Sequence, residues 1–356
     1  GYGCFLVETD EELNGELLGY TKDSQNLFLD NETISLATLE HAWRKNSDIH
    51  YKSAGLTDNA YISETLYGVP SPVMRSRKAM TRCALPRVYI PVFRNDQSEV
   101  DLRRSFMEKG AIVTIDRFVT ANRYIEDVAA QVINHLEQSQ ILVLTERAFS
   151  PMGFGAVSGK MVALLQYAPV KEALDNFLYA NDGLILGVGG GFSALAQADM
   201  FLRGPMAENP EFQSCLGQNN LYFQPNPTGS ACCRMVQTRT VTRNSPWLLK
   251  QEQGDIYTSV FSMECGRLQM SDDAFRLLRK YDMIGSQFVD RGGNATMDYL
   301  YNPSLCFGGI ESLISADGRI LGKLCRFETI DRSLLLDAKG NKEQPIIESG
   351  ISYFKD

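Results

Sequence analysis

From Arg87 onward, short apolar runs alternate with segments whose apolar residues recur every three or four positions. The runs at 88–93, 111–115, 140–144 and 184–188 predict buried strands, and the segments at 99–109, 124–136, 159–167 and 170–180 predict helices between them. Apolar strands alternating with amphipathic helices imply a parallel sheet covered on both faces, with ligands at the carboxyl ends of its strands. After about Pro225 the texture changes to alternating runs at 235–241 and 256–261, which predict antiparallel strands added to the same domain. Before Arg87 the pattern is thin. A strand-like stretch at 3–8, a hairpin through 27–29 and 32–35 and a helix at 36–45 make a small α+β fragment, too little for a core of its own. Residues 46–85, with the basic run Arg75-Ser-Arg-Lys78, read as a linker lying along a neighbour.

The sharpest local feature is Asp182-Gly-Leu-Ile-Leu-Gly-Val-Gly-Gly-Gly-Phe-Ser-Ala-Leu195, a buried strand running through a glycine turn into a helix. Such an elbow projects its central residue clear of the backbone, which is how many α/β enzymes present a nucleophile. Here the central residue is Gly189, which has nothing to project. The same glycines satisfy a G-x-G-x-x-G/A dinucleotide fingerprint, but that site needs a second strand ending in an acidic residue, and Arg203-Gly-Pro-Met-Ala-Glu-Asn-Pro210 reads as a loop instead. Ser193 falls inside the helix that follows, not at the tip.

Composition narrows the function classes. With 356 residues, 44% hydrophobic and 22% charged, the chain reads as an ordinary globular protein of about two domains. A net charge of -8 without a Lys/Arg stripe argues against a nucleic-acid partner. The longest apolar stretch, 183–198, is glycine-rich and shorter than the roughly 20 residues a membrane span needs. The eight cysteines show no C-x-x-C pair, and with three histidines a zinc site is not expected; reduced thiols and a cytoplasmic location are.

An ordered set of short motifs then carries a resemblance: Arg87-Val-Tyr-Ile-Pro-Val-Phe93, Asp182-Gly-Leu-Ile-Leu-Gly187, Phe192, Ala194-Leu195, Ser245-Pro-Trp247, Gly254-Asp255, Gln287-Phe-Val-Asp290, Asn302-Pro303, Asp317-Gly-Arg319 and Glu348-Ser-Gly350. In this order, residues 86–356 resemble the C-terminal class I (triad) glutamine amidotransferase domain of phosphoribosylformylglycinamidine synthases. The resemblance implies a flavodoxin-like α/β domain with a mainly parallel central sheet and antiparallel additions. It also implies that residues 1–50 are the end of a synthetase-type, AIR synthase-like domain, that 51–85 are a linker, and that the partners are upstream synthetase-like domains of the same polypeptide. ATP and magnesium are then expected only in that upstream half, with no cofactor or metal in this chain.

The departures fall on the chemistry. The family's elbow reads Gly-Ile-Cys-Asn-Gly-Phe-Gln, and here Gly189 stands at the cysteine. Gly-His-Ser-Glu-Arg corresponds to Cys325-Arg-Phe-Glu-Thr329, which keeps Glu328 and puts Arg326 at the histidine. A guanidinium stays protonated and cannot serve as a general base. Pro-Gly-Gly-Phe-Ser, whose backbone N–H groups face the oxyanion, becomes Glu146-Arg-Ala-Phe-Ser150, with Arg147 and Ala148 at the glycine pair. Ser-His-Gly-Glu-Gly-Arg becomes Ser262-Met-Glu-Cys-Gly-Arg267, bringing Met263 and Cys265 to the site border. Cys265 and Cys325 are conceivable replacement nucleophiles, though no histidine aligns near either. An ion pair of Arg147 or Arg326 with Glu328, filling the former pocket, accounts for the arginines more simply. The reading is a degenerate amidotransferase domain in a purine-pathway ligase-like protein. A recruited, non-enzymatic binding or scaffold module using the pseudo-site surface is the alternative.

Overall fold

The computed structural model describes residues 7–11, 14–29, 32–39, 42, 64–71, 78–93, 98–118, 124–146, 156–203, 208–216, 220–329 and 338–355. The chain divides into two compact units, Gly1–Asp48 and Ile49–Asp356. In the first, strands β1 (Asn26–Leu29) and β2 (Glu32–Ser35) form an antiparallel hairpin, and residues 36–39 start a helix. Val7 and Glu8 are not in a strand, and the rest of the stretch expected at 3–8 lies outside the described residues. Leu17, Leu18, Tyr20, Phe28 and Leu29 are exposed, so the described residues of this unit leave much of their apolar surface open.

The second unit is built on strands β3 (Arg87–Val92), β4 (Ile112–Arg117), β5 (Ile141–Glu146) and β6 (Leu184–Gly189), with α1 (Ser98–Glu108), α2 (Ile125–Gln138), α3 (Ala156–Gln166) and α4 (Ala168–Asp175) between them. Helix α2 buries Val128, Ala129, Val132 and Leu136, the one-sided spacing that marks it in the sequence, and Glu126 and Asp127 in its first turn suit the positive end of the helix dipole. The helix expected at 170–180 is α4 followed by a wider π turn, Asn176–Ala180. Helix α5 (Gly190–Gln197) follows β6, and the short α6 (Pro210–Gln213) leads to β7 (Leu221–Gln224), β8 (Cys232–Thr240), β9 (Ile256–Met263) and β10 (Arg267–Met270). Then come α7 (Asp272–Lys280), β11 (Ile284–Val289), β12 (Ile310–Ile314), β13 (Ile320–Lys323) and α8 (Ile346–Lys355).

Nine strands make one sheet in the order β4-β3-β5-β6-β13-β12-β11-β8-β9. From β4 to β13 neighbouring strands run parallel, and from β13 to β9 they run antiparallel. This is the α/β fold with antiparallel additions that the sequence predicts. Strands β5 and β6 are buried at every position, as the interior of a doubly covered sheet requires. Strands β7 and β10 pair separately.

Several motifs that carried the resemblance prove to brace this framework. Asp182, at φ 61°, accepts from Arg319 Nη2 at 2.5 Å, Tyr353 Oη at 2.9 Å and the Met80 amide at 2.7 Å. Ser245 Oγ donates to the Gly318 carbonyl at 2.6 Å and Trp247 Nε1 to the Arg319 carbonyl at 3.1 Å. Residues 64–71 lie along β8 and β11: the Leu66 amide donates to Gln287 Oε1, Arg239 Nη1 to the Leu66 carbonyl, and the Gly68 amide to Val241. Leu66 itself is buried.

Candidate functional site

Strand β6 sits fourth in the sheet, and its carboxyl end turns sharply into α5. Gly189 makes that turn with φ 59° and ψ -116°, a conformation that a side-chain-bearing residue adopts only under strain. Two residues on, a Cβ on Gly191 would lie 1.9 Å from the Leu144 carbonyl oxygen, so only glycine lets α5 approach β5 this closely. The elbow read from the sequence is therefore present in the backbone. Ser193 lies inside α5, where its Oγ accepts from Gln197 Nε2 at 3.0 Å.

Neighbouring strand ends deliver the other residues. Gly189 pairs in register with Glu146 at the end of β5, and Glu146 Oε2 stands 2.9 Å from the position of a Cβ on Gly190, against the first residue of α5. On the opposite side Lys323 of β13 pairs with Val188, and the chain reaches Arg326 three residues later. Arg326 is tied to β9 by an antiparallel bridge, its amide donating to the Val260 carbonyl at 2.8 Å. The residue is 3% exposed; Nε donates to Glu328 Oε1 at 2.7 Å and Nη2 to the Ser98 carbonyl at 3.1 Å. Arg326, Glu328 and the start of α1 are thus drawn together at the carboxyl edge of the sheet. Glu99, beside Ser98 and fully buried, accepts from Arg117 Nη2 at 2.8 Å.

Met263, at the end of β9, is buried with its sulfur 3.4 Å from where a Cβ on Gly189 would be. Cys265 is buried two residues further on. Cys325 is fully buried: burial pushes its thiol well above the ordinary range, and the nearby Glu311 charge raises it further. That is the opposite of what a reactive thiol needs. Arg147 and Ala148 lie outside the described residues.

Sequence reading located Gly189, Arg326 and Glu328 but passed over Ser98, Glu99 and the Glu146 carboxylate. Glu99 was legible only as a helix start. Its signal, an acidic residue where a helix leaves the carboxyl end of a parallel strand, is too common to stand out. Among the described residues no group of three or more His, Cys, Asp or Glu side chains could hold a metal, and no helix is long and apolar enough to cross a membrane.

A mixed α/β sheet whose fourth strand turns through a glycine elbow into a helix is the framework of a glutamine amidotransferase-type domain. Residues 85–356 match the CobB/CobQ-like glutamine amidotransferase domain family, and the chain belongs to it. No curated protein matches the chain in sequence. Among solved structures it is similar to PurLQS from Thermotoga maritima, at 13% identity and a TM-score of 0.51, over 76% of this chain and 100% of that one. It is also similar to the glutaminase domain of Trypanosoma brucei CTPS with bound acivicin, at 12% identity and a TM-score of 0.44, over 76% and 95% of the two chains. At such identities the likeness to PurLQS speaks for the fold alone.

Proposed function

We propose that this domain does not hydrolyse glutamine and serves as the C-terminal, catalytically silent amidotransferase part of a phosphoribosylformylglycinamidine synthase-like protein. The observation that carries the reading is Gly189, which holds the φ of a nucleophile elbow with no side chain to attack an amide carbon. Loss of the nucleophile alone lowers the rate of a triad hydrolase roughly 10^6-fold. The partner chemistry has gone with it. Arg326 is a permanent cation held by Glu328, so it neither accepts a proton nor leaves Glu328 free to orient a base. Neither Cys265 nor Cys325 replaces the nucleophile, since both are buried and the Cys325 thiol is held protonated.

Residues 1–50 then belong to a synthetase-like domain, residues 51–85 form the connector, and upstream domains of the same cytoplasmic polypeptide are the partner. The exposed Leu17, Leu18, Phe28 and Leu29 support this, because a unit of this size cannot bury them by itself. The test is an ammonia-release assay with purified protein and glutamine. Release at the buffer rate is expected; turnover abolished by Cys265→Ala or Cys325→Ala would show that the chemistry had moved to another thiol.

A further inference from the structure

One face of the antiparallel half carries a polar row where apolar residues would be expected. Thr240 of β8 pairs with Ser286 of β11, Ser286 with Ser312 of β12, and Ser312 with Lys323 of β13, and all four are buried. The β11–β12 register skips Glu311, and this bulge brings its carboxylate into the row. Glu311 Oε2 accepts from Lys323 Nζ and Ser286 Oγ, each at 2.5 Å, while Oε1 accepts from the Cys325 amide at 2.8 Å.

The row lines a cavity of about 10 Å³ that Gln251 also lines. That is close to the roughly 10–15 Å³ that one water-sized molecule requires on the same measure. Gln251 is 3% exposed and uses its Oε1 to accept from Thr240 Oγ1 at 2.8 Å, but its Nε2 has no hydrogen-bond partner. Among the described residues Lys323 meets one acceptor, Glu311, although an ammonium carries three donors. Two buried donor groups therefore border one cavity, and buried donors are nearly always satisfied.

We propose that this cavity is a binding site for a single small hydrogen-bond acceptor, a water molecule or a halide ion, held between Gln251 Nε2 and Lys323 Nζ. The bound acceptor completes a relay from Gln251 through Lys323 and Glu311 to the Cys325 amide, and so fixes the chain that delivers Arg326 to the elbow.

The test is a high-resolution crystal structure of the full chain, without and with a bromide soak and anomalous data. A peak within hydrogen-bond reach of both nitrogens is expected. If it gains anomalous signal the ligand is a halide, and if it does not the ligand is water. An empty cavity, or a peak that does not touch Gln251 Nε2, would overturn the proposal. Gln251→Leu should remove the peak and leave the Lys323–Glu311 pair in place. Gln251→Glu, whose carboxylate can accept from Lys323 directly, should remove it too and serves if the leucine variant fails to fold. A full-height peak in either variant would overturn the role given to Gln251.

Discussion

The backbone carbonyl of Glu146 and the sulfur of Met263 stand 3.0 Å and 3.4 Å from the point where a Cβ on Gly189 would lie, so the elbow tip is closed by its neighbours as well as bare. Gly189→Ala should cost about 1–3 kcal/mol, because it places a side chain at positive φ against a fixed carbonyl. The double variant Gly189→Cys with Arg326→His should fold and still give no useful glutaminase activity. A base and oxyanion donors must be placed to within about 1 Å, each such error costing roughly 10^2-fold. Urea unfolding checks the first expectation. Readily measured steady-state ammonia release would refute the second.

Arg326 and Glu328 are buried together, so removing one partner strands the other. Arg326→Met should destabilise by about 3–5 kcal/mol, whereas Arg326→Met with Glu328→Leu should recover most of the loss. A double-mutant cycle from urea midpoints gives the coupling directly. Additive single effects would mean that the pair contributes no more than packing.

Burial pushes the Cys306 thiol up to about 12 from an ordinary value near 9. Burial raises the Cys325 thiol and the Tyr89 hydroxyl as well. These groups ionise first in the unfolded chain, so their contribution is complete below about pH 9 and is lost as pH rises, for Cys306 through its folded value of about 12. The urea midpoint should therefore fall between pH 9 and pH 11. At pH 8 a thiol reagent should label exposed Cys233 while Cys306 and Cys325 stay unmodified until the protein unfolds, as peptide mapping would reveal.

The strap at 64–71 is part of the second unit, not slack between units. Leu66→Ala should cost about 2–5 kcal/mol, as deletion of a buried leucine does. A chain beginning at Arg87 should melt at a lower temperature than one beginning at Glu64. Equal melting temperatures would show that the strap adds no stability.

Much of this was legible in the sequence because burial leaves a period. Strands β3, β5 and β6 are continuous apolar runs, and α2 shows its buried stripe. Gly189 was legible because a strand-turn-helix needs glycines at fixed places. What stayed hidden depends on partners distant in sequence: the pairing of β7 with β10, the docking of Leu66 on Gln287, and the bulge that turns Glu311 toward Lys323. The reach of Arg326 to Ser98, 228 positions apart, is of the same kind. Local patterns carry propensity and periodicity, and none of these contacts has either.

The close approach at Gly191 has a consequence for how such folds change over time. With a Leu144 oxygen 1.9 Å from any Cβ placed there, residue 191 is barred to every side chain, whereas at residue 189 the nearest atom, the Glu146 carbonyl oxygen, lies 3.0 Å away and a side chain is strained rather than excluded. Descendants of a working elbow can therefore drift at the tip while the turn itself keeps its outline. Two proteins that superimpose through this bend can therefore differ in whether they react at all, because the reacting groups are carried by side chains that the outline of the turn does not specify.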